Sequence, residues 1–192
     1  SGIAIDPNNS NIIYISTGDD DAGDSYSIGV LKSMDGGLNW SQTGIINLGT
    51  YQPSSNEIII DPDDSNKIWV ATSSGLFFTN NAGSTWEQKL VGHIRDIKLK
   101  PGDSNTIYAV SKNSYYRSDN GGSTFSTISN DLPASSTLGR LRIEVTPAAP
   151  NYVYILAVKT NWEFEGLYRS TNSGGNFSKT AESDDIFGSS QA

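Results

Sequence analysis

One pattern occurs four times along this 192-residue chain, and the repeat constrains the fold more than any other feature of the sequence. Each copy begins with an apolar stretch that ends at a proline, and an asparagine and a large aromatic residue follow four and seven positions later. The matching residues, copy by copy, are Pro7, Asn11 and Tyr14; Pro62, Asn66 and Trp69; Pro101, Asn105 and Tyr108; and Pro147, Asn151 and Tyr154. Four matches at fixed offsets predict one structural unit that is used four times.

A second motif closes each copy and has the form Ser/Thr-x-Asp/Asn-x-Gly-x-Thr/Asn-aromatic. Hydroxyl and Asp or Asn side chains bond to nearby backbone N–H groups, and glycine takes a backbone conformation with φ > 0 that other residues avoid. We therefore expect a hairpin turn at each motif, with its aromatic residue folded under the turn among apolar side chains. The structural residues of the four motifs are Ser33, Asp35, Gly37 and Trp40; Thr79, Asn81, Gly83 and Trp86; Ser118, Asn120, Gly122 and Phe125; and Ser170, Asn172, Gly174 and Phe177.

The spacing within one copy leaves room for four short strands. In the second copy we expect strands at about 57–61, 67–71, 75–79 and 85–90, and no stretch of the chain shows helical periodicity. Units of this size with four strands are typical of propeller blades. The sequence therefore predicts an all-β β-propeller segment of four visible blades at 1–50, 51–91, 92–132 and 133–181. Residues 182–192 would form a tail or the start of a further blade, and we expect the ring to be larger than four blades.

The closing motif resembles the Asp-box, also called the BNR repeat. The phrase from Ser16 through Tyr26 to Ser33 is similar to secreted bacterial proteins with BNR or sortilin-like repeats. The resemblance implies a secreted or cell-surface location, and a non-catalytic binding or scaffolding role toward a protein or polysaccharide. It also implies further blades or domains in the same parent chain.

A glycoside hydrolase of the Asp-box propeller type is the alternative. A xyloglucanase-like enzyme would need two facing carboxylates, for which Asp21 or Asp24 with Glu163 or Glu165 are the candidates. A sialidase is less compatible with the sequence, because the Arg-Ile-Pro signature of sialidases does not occur. A photosystem assembly factor of this fold would need an arginine-rich patch, which this sequence lacks. We therefore assign no catalytic residue.

Charge and composition argue against other partners. The formal net charge of −8 disfavours a nucleic-acid partner, because an acidic surface repels phosphate backbones. No stretch approaches the roughly 20 apolar residues of a membrane span, so we expect no direct insertion into a membrane. The chain has no cysteine and therefore neither disulfides nor thiolate metal sites.

Loop positions suggest where a ligand would bind. If the strands run A to D from the centre outward, the A–B turns and the closing motifs share one face of the propeller, and ligand sites usually lie on the other. Trp162 stands out there, because it fills no repeat position. An aromatic beside carboxylates suits a sugar ring or a protein contact, although it could instead pack over the edge of its own blade. The candidate ligand-binding residues are Tyr26, Tyr51, His93, Arg95, Arg140, Trp162, Glu163 and Glu165.

An acidic loop between the second and third strands of the first copy is the candidate metal site. Asp19, Asp21 and Asp24 could ligate Ca²⁺, a hard cation that prefers several oxygen ligands. The loop does not follow the EF-hand pattern, and a solvated acidic loop is the alternative. No cofactor is required by any motif, so Ca²⁺ is possible but not needed.

Overall fold

The computed structural model describes residues 1–18, 27–44 and 54–181, and this part of the chain is almost entirely β-structure. Sixteen strands form four sheets of four strands each, and a single 3-10 turn at Ser135–Thr137 is the one helical element among the described residues. Within this part of the chain, no helix is long and apolar enough to cross a membrane.

The strands of every sheet follow one another in chain order. Sheet 1 contains β1 (Gly2–Ile5), β2 (Ile13–Ser16), β3 (Val30–Ser33) and β4 (Ser41–Gln42). Sheet 2 contains β5 (Ser55–Asp61), β6 (Asp64–Thr72), β7 (Gly75–Thr79) and β8 (Glu87–Val91). Sheet 3 contains β9 (Ile94–Lys100), β10 (Asp103–Ser111), β11 (Tyr115–Ser118) and β12 (Ser126–Ile128). Sheet 4 contains β13 (Leu138–Val145), β14 (Val153–Lys159), β15 (Phe164–Ser170) and β16 (Ser178–Ala181).

Strand ends differ slightly from the expected ones in the second copy. β6 starts at Asp64 rather than near residue 67, because Asp64 already pairs with Asp61 across a tight turn. β8 starts at Glu87, two residues later than expected, because Thr85 still belongs to the preceding turn, where its N–H donates to Asn81 Oδ1 at 2.9 Å. The sequence therefore located each strand but not its ends.

The chain divides into two compact units, Ser1–Ile97 and Lys98–Ala192, with the boundary inside β9. The core of the first unit forms where sheet 1 packs on sheet 2. Its buried members are Tyr14, Val30, Ile58, Ile60, Ile68, Val70 and Phe77, with Ala4, Ile12 and Trp86 partly buried against them. Apolar side chains from alternate strand positions thus meet between two sheets.

The core of the second unit has the same construction. Its aromatic members include Tyr115 and Phe177, whose rings meet edge to face with centroids 5.2 Å apart. The buried members are Tyr108, Val110, Tyr115, Leu138, Leu141, Ile143, Val153, Ile155, Ala157, Tyr168 and Phe177. In each unit, a cluster of apolar side chains is therefore buried between one pair of sheets.

The four closing motifs form turns with one shared hydrogen-bond pattern; we call residues 33–40, 79–86, 118–125 and 170–177 the repeat turns. In the first, Ser33 Oγ donates to Asp35 Oδ1 at 2.9 Å and accepts the N–H of Gly37 at 2.9 Å. Asp35 Oδ1 also accepts the N–H of Asn39 at 2.9 Å. Equivalent bonds occur in the other three turns, with Asn at the position of Asp35. The predicted scaffold chemistry of these side chains is therefore present in all four copies.

Hydrogen bonding also explains the charge state of Asp35. Its carboxylate accepts the backbone N–H of Asn39, the side-chain amide of Asn39 and the hydroxyl of Ser33, and these bonds lower its pKa to about 2. A carboxylate that accepts several hydrogen bonds favours its charged form.

A backbone bond ties each repeat turn to the turn between the first two strands of its sheet. The N–H of Gly36 donates to the carbonyl oxygen of Asn11 at 3.0 Å. The same bond joins Ala82 to Asn66, Gly121 to Asn105 and Ser173 to Asn151. These two turns therefore share one end of every sheet, and the remaining loops lie at the other end, which we call the loop end.

Trp40 differs from the expectation for its motif. Phe177 is buried and Trp86 and Phe125 are partly buried, but Trp40 is 38% exposed, and its indole N–H donates to Gly37 O at 3.0 Å. The reason is positional: Trp86 and Phe177 pack against the sheet that precedes theirs, and no described sheet precedes sheet 1.

Candidate functional site

Loops from successive sheets meet at the loop end within each unit. In the first unit the N–H of Ser55, at the start of sheet 2, donates to the carbonyl oxygen of Thr17, which follows β2 of sheet 1, at 3.3 Å. In the second unit the Asn113 side chain, between β10 and β11 of sheet 3, donates to the carbonyl oxygen of Ser135, which precedes sheet 4, at 3.2 Å. The N–H of Thr160 also donates to Thr137 O at 3.0 Å, within sheet 4. These bonds hold the loops against one another, so the backbone from which the loop side chains project has a fixed position.

Trp162 lies at the tip of the turn between β14 and β15, where sheet 4 reaches its loop end. The N–H of Lys159 donates to Glu163 O at 2.8 Å, and the N–H of Trp162 donates to Lys159 O at 3.0 Å. These bonds close a tight turn that places Trp162 at φ 69°. Trp162 is 66% exposed, so most of its surface faces solvent instead of packing over the edge of its own sheet.

Two opposite charges flank this indole in the chain. Lys159 Nζ lies 3.2 Å from Glu163 Oε2. The Asn161 side chain and the Lys159 ammonium hold the pKa of Glu163 below its usual range. Glu163 is therefore a carboxylate at neutral pH, and the same turn carries an exposed indole, a cation and an anion.

Glu165 is held more tightly than Glu163. It lies on β15, where it accepts a hydrogen bond from Tyr168 Oη at 3.4 Å and pairs with Lys179 at 3.6 Å. Its side chain is only 20% exposed. These contacts within sheet 4 restrain the carboxylate, so it has less freedom than Glu163 to meet a ligand.

Arg140 lies at the same end of sheet 4 as Trp162. It is half-buried near the start of β13, where it pairs with Val158 beside a register shift. The structure therefore places Arg140, Trp162 and Glu163 at one end of one sheet.

His93 and Arg95 belong to the other compact unit. His93 precedes β9 and Arg95 lies within it, and both are half-buried and engaged in contacts.

The first strands of sheets 2, 3 and 4 carry a charged residue at one equivalent position, namely Glu57, Asp96 and Arg142. Glu57 Oε2 accepts the N–H of Ile97 at 3.3 Å, which links β5 to β9. Asp96 is buried and Arg142 is exposed, and all three make contacts. The Glu57 carboxylate therefore connects the first strand of sheet 2 to the first strand of sheet 3.

Several predicted residues lie outside the described part of the chain: Tyr26, Tyr51, Asp19, Asp21 and Asp24. Among residues 1–18, 27–44 and 54–181, no group of three or more His, Asp or Glu side chains is arranged to hold a metal ion. The calcium site therefore stays a prediction, as does the pairing of Asp21 or Asp24 with a glutamate across a cleft.

Sequence reasoning missed Lys159 as a member of this site. The signal was present, because Lys159 is the first residue of the segment 159–165 that interrupts the repeat pattern, and it carries the charge opposite to that of Glu163 four positions later. The backbone conformation of Trp162 had no signal in the sequence, since tryptophan is not a residue that favours φ > 0.

Known proteins resemble this chain in structure. No protein-family model and no curated protein sequence matches it. An ancestral GH74 enzyme superposes with a TM-score of 0.76 and 26% identity over 95% of this chain and 24% of the enzyme. The GH74 enzyme of Niastella koreensis gives 0.69 and 21% over 93% of this chain and 29% of the enzyme.

A third similar structure comes from a different functional context. The extracellular domain of a one-component system from B. thetaiotaomicron gives a TM-score of 0.60 at 18% identity, over 92% of this chain and 22% of that chain. All three are β-propeller proteins. This chain therefore has the all-β fold of four-stranded β-propeller sheets, and it spans 24% to 29% of the length of the GH74 enzymes that it resembles.

Proposed function

We propose that this chain is a non-catalytic binding segment of a β-propeller that holds a polysaccharide at the Trp162 turn. The observation that supports the proposal is an exposed indole at φ 69°. A left-handed backbone costs about 1–2 kcal/mol for a residue with a Cβ atom. Such strain concentrates at functional positions, where a precise side-chain placement has a use other than folding.

The chemistry of the turn suits a sugar. The face of an indole can stack on the apolar face of a pyranose ring, and flanking charges can bond to its hydroxyl groups. Lys159 and Glu163 supply a donor and an acceptor in the same turn as the ring, and their mutual ion pair at 3.2 Å restrains both side chains. Because the chain is 26% identical to one GH74 enzyme and another GH74 enzyme, from Xanthomonas campestris, is a xyloglucanase, xyloglucan is the first polysaccharide to test.

The test is a titration of the chain with xyloglucan oligosaccharides, followed by isothermal titration calorimetry, which does not depend on any tryptophan as a reporter. We expect saturable binding that Trp162→Ala weakens by about tenfold or more, since the stacking of the ring and the burial of its apolar surface together contribute about 1.4 kcal/mol or more. Trp162→Phe should retain part of the affinity, and Trp40→Phe, which alters a tryptophan in the other unit, should retain all of it. Equal binding by the native chain and Trp162→Ala would contradict the proposal. Binding to a protein but not to any glycan would show that the ligand is a protein and not a polysaccharide.

Glycoside hydrolysis is the second candidate, because a similar structure at 26% identity is an enzyme of GH74. A general acid needs a carboxyl whose pKa is raised, whereas hydrogen bonds from Asn161 and Lys159 lower that of Glu163. We therefore expect no release of reducing ends from xyloglucan by this chain. If the native chain hydrolyses xyloglucan and Glu163→Gln abolishes that activity, the result would support a glycoside hydrolase instead.

The repeat turns support a more specific proposal about the family. We take them to be Asp-boxes, because the Ser33 and Asp35 pattern recurs in four copies with the same bonds. By the resemblance of its repeats to exported bacterial proteins, we place the parent protein outside the cell or at its surface. Cleavage of the protein by a protease added to intact cells would test this location, and full protection would argue against it.

A further inference from the structure

Sheet 3 carries a pair of residues whose chemistry the proposed binding role does not use. Asn120 is followed by Gly121, and this is the one Asn–Gly pair in the sequence. In such a pair the backbone nitrogen of the glycine can attack the side-chain amide carbon of the asparagine, because glycine has no Cβ atom to obstruct the approach. The pair lies in the third repeat turn, where Asn120 is exposed to water. The position is therefore a candidate for a spontaneous modification of the chain.

The reaction is deamidation, and it needs no reagent other than water. The Gly121 nitrogen loses its proton and forms a bond to Cγ of Asn120, the bond from Cγ to Nδ2 breaks, and ammonia leaves. Water then opens the resulting cyclic imide at one or the other of its carbonyl carbons. The product is an aspartate, or an isoaspartate in which the backbone runs through the former side chain. Either product adds a negative charge at neutral pH.

In the folded turn the attacking nitrogen is engaged elsewhere. The N–H of Gly121 donates to the carbonyl oxygen of Asn105 at 2.9 Å, and the attack on Asn120 requires this bond to break. The amide itself is not protected. Ser118 Oγ and the N–H of Thr124 donate to its Oδ1 at 2.9 and 3.0 Å, and this is the atom on which negative charge develops during the attack. The hydrogen bond of the glycine nitrogen therefore controls the reaction.

Asp103 holds the acceptor of that bond in place. Its Oδ1 accepts the N–H of Asn105 at 3.2 Å, and its Oδ2 accepts the hydroxyl of Thr106 at 2.7 Å. Lys100 Nζ lies 3.8 Å from the same carboxylate. These contacts fix the start of β10, and with it the carbonyl oxygen to which Gly121 donates.

The first repeat turn shows that an aspartate fits at the modified position. Asp35 is the counterpart of Asn120, and it accepts the hydroxyl of Ser33 and the N–H of Asn39, each at 2.9 Å. An isoaspartate instead adds a methylene group to the backbone, which displaces the following N–H from its acceptor. The aspartate product therefore retains the turn, and the isoaspartate product does not.

We infer that Asn120 is a deamidation site that the fold controls, and that its aspartate product retains the repeat turn. The residue is stable while the Gly121 N–H is bonded to Asn105 O, and it reacts when the turn opens. Local opening has free energies from near zero up to that of global unfolding, so the reaction follows the population of the open turn. The extent of deamidation therefore records how long this turn has been open.

Peptide mapping by mass spectrometry tests the inference on the chain kept at mildly alkaline pH, with and without urea. We expect Asn120 to deamidate about tenfold or more slowly in the folded chain than in urea. Asp103→Ala should raise the rate in the folded chain by about fivefold, the effect of one lost hydrogen bond, and leave the rate in urea unchanged. Asp64→Ala is the matched control at the start of β6, where Asp64 accepts the N–H of Asn66 at 3.1 Å and lies 3.7 Å from Lys67. It should leave the rate at Asn120 unchanged.

Two further variants test the chemistry. Gly121→Ala should slow deamidation in urea by about tenfold or more, because its Cβ obstructs the approach of the nitrogen. Asn120→Asp should melt like the native chain, because the aspartate accepts the same bonds.

Equal rates for the native chain with and without urea overturn the inference, and this comparison needs no variant to fold. Equal rates for Asp103→Ala and Asp64→Ala in the folded state overturn it too. So does undiminished deamidation of Gly121→Ala in urea, or a large drop in the melting temperature of Asn120→Asp. Circular dichroism identifies the variants that are folded.

Discussion

Tyr14 of sheet 1 donates a hydrogen bond from its phenol to the carbonyl oxygen of Ala82 in sheet 2, at 3.2 Å. Ala82 lies in a repeat turn with φ 55°, and its own N–H donates to Asn66 O at 2.9 Å. One peptide region is therefore fixed from two sides, by its own sheet and by the sheet before it. The repeat turn thus joins the local hairpin to the packing of neighbouring sheets.

Replacing Tyr14 by phenylalanine should lower the free energy of unfolding by about 1 kcal/mol, the net value of one hydrogen bond. The ring stays in place, so the apolar packing of the first unit is unchanged. The control is Tyr115→Phe, because Tyr115 Oη is buried and has no hydrogen-bond partner among the described residues. That change should leave stability equal or higher. Urea denaturation of both variants gives the comparison, and a larger loss for Tyr115→Phe would contradict the assigned bond.

Asp35 should give the first unit an acid-sensitive contribution to stability. Its pKa of about 2 in the folded chain lies below the ordinary value of 3.8, mainly because the backbone N–H of Asn39 bonds to the carboxylate. A lowered pKa contributes stability that is complete above about pH 4 and is lost as the pH falls through about 2. Asp35→Asn removes this titration and keeps an acceptor, as Asn172 does in the fourth turn.

Urea midpoints for the native chain and Asp35→Asn at pH 7, 4 and 2 measure the effect. The difference between the two chains should stay constant from pH 7 to about pH 4. Below that pH it should shift in favour of the variant. Parallel curves down to pH 2 would show that the carboxylate does not hold the turn.

Gly174 should tolerate no side chain. It has φ 75°, and a Cβ atom there would collide with the phenol oxygen of Tyr115. We expect Gly174→Ala to cost about 2–4 kcal/mol, from the left-handed backbone and the overpacking together. Gly92 at φ 102° has open space where a Cβ would be, so Gly92→Ala should cost only the backbone part, about 1–2 kcal/mol. Thermal melts of the two variants separate the cost of the left-handed backbone from the cost of the clash with Tyr115. Equal losses of stability in both variants would show that the clash contributes nothing.

Much of the fold could be predicted from fixed offsets, because each offset reflects a local bond. The glycine and hydroxyl spacing in the fourth copy predicts the turn in which the N–H of Gly174 bonds to Ser170 Oγ at 2.9 Å. The role of Asn105 could not be predicted in this way, because its backbone carbonyl is what accepts the N–H of Gly121. Any residue has a carbonyl, so the side-chain pattern gives no sign of that bond.

The site was less predictable than the scaffold, for a physical reason. A repeat pattern identifies the residues that the four copies have in common, whereas Trp162 is of interest because it has no counterpart in the other copies. Its exposure and its φ of 69° arise from the tight turn that Lys159 and Glu163 close. Trp40 shows the converse: it matches the motif, yet its exposure depends on whether a sheet covers it.

A substitution at Trp162 can separate function from folding. Asparagine accepts the left-handed region at little cost, so Trp162→Asn should relieve strain and raise the free energy of unfolding by about 0.5–1 kcal/mol. The same change removes the ring, so binding of xyloglucan oligosaccharides should fall by about tenfold or more. Stability gained together with binding lost is the pattern of a residue retained for its ligand. The control is Thr160→Asn, next to the same turn, which leaves the indole in place and should change neither property much. If Trp162→Asn instead melts at a lower temperature, the indole contributes to the packing of sheet 4, and its exposure would no longer support a binding role.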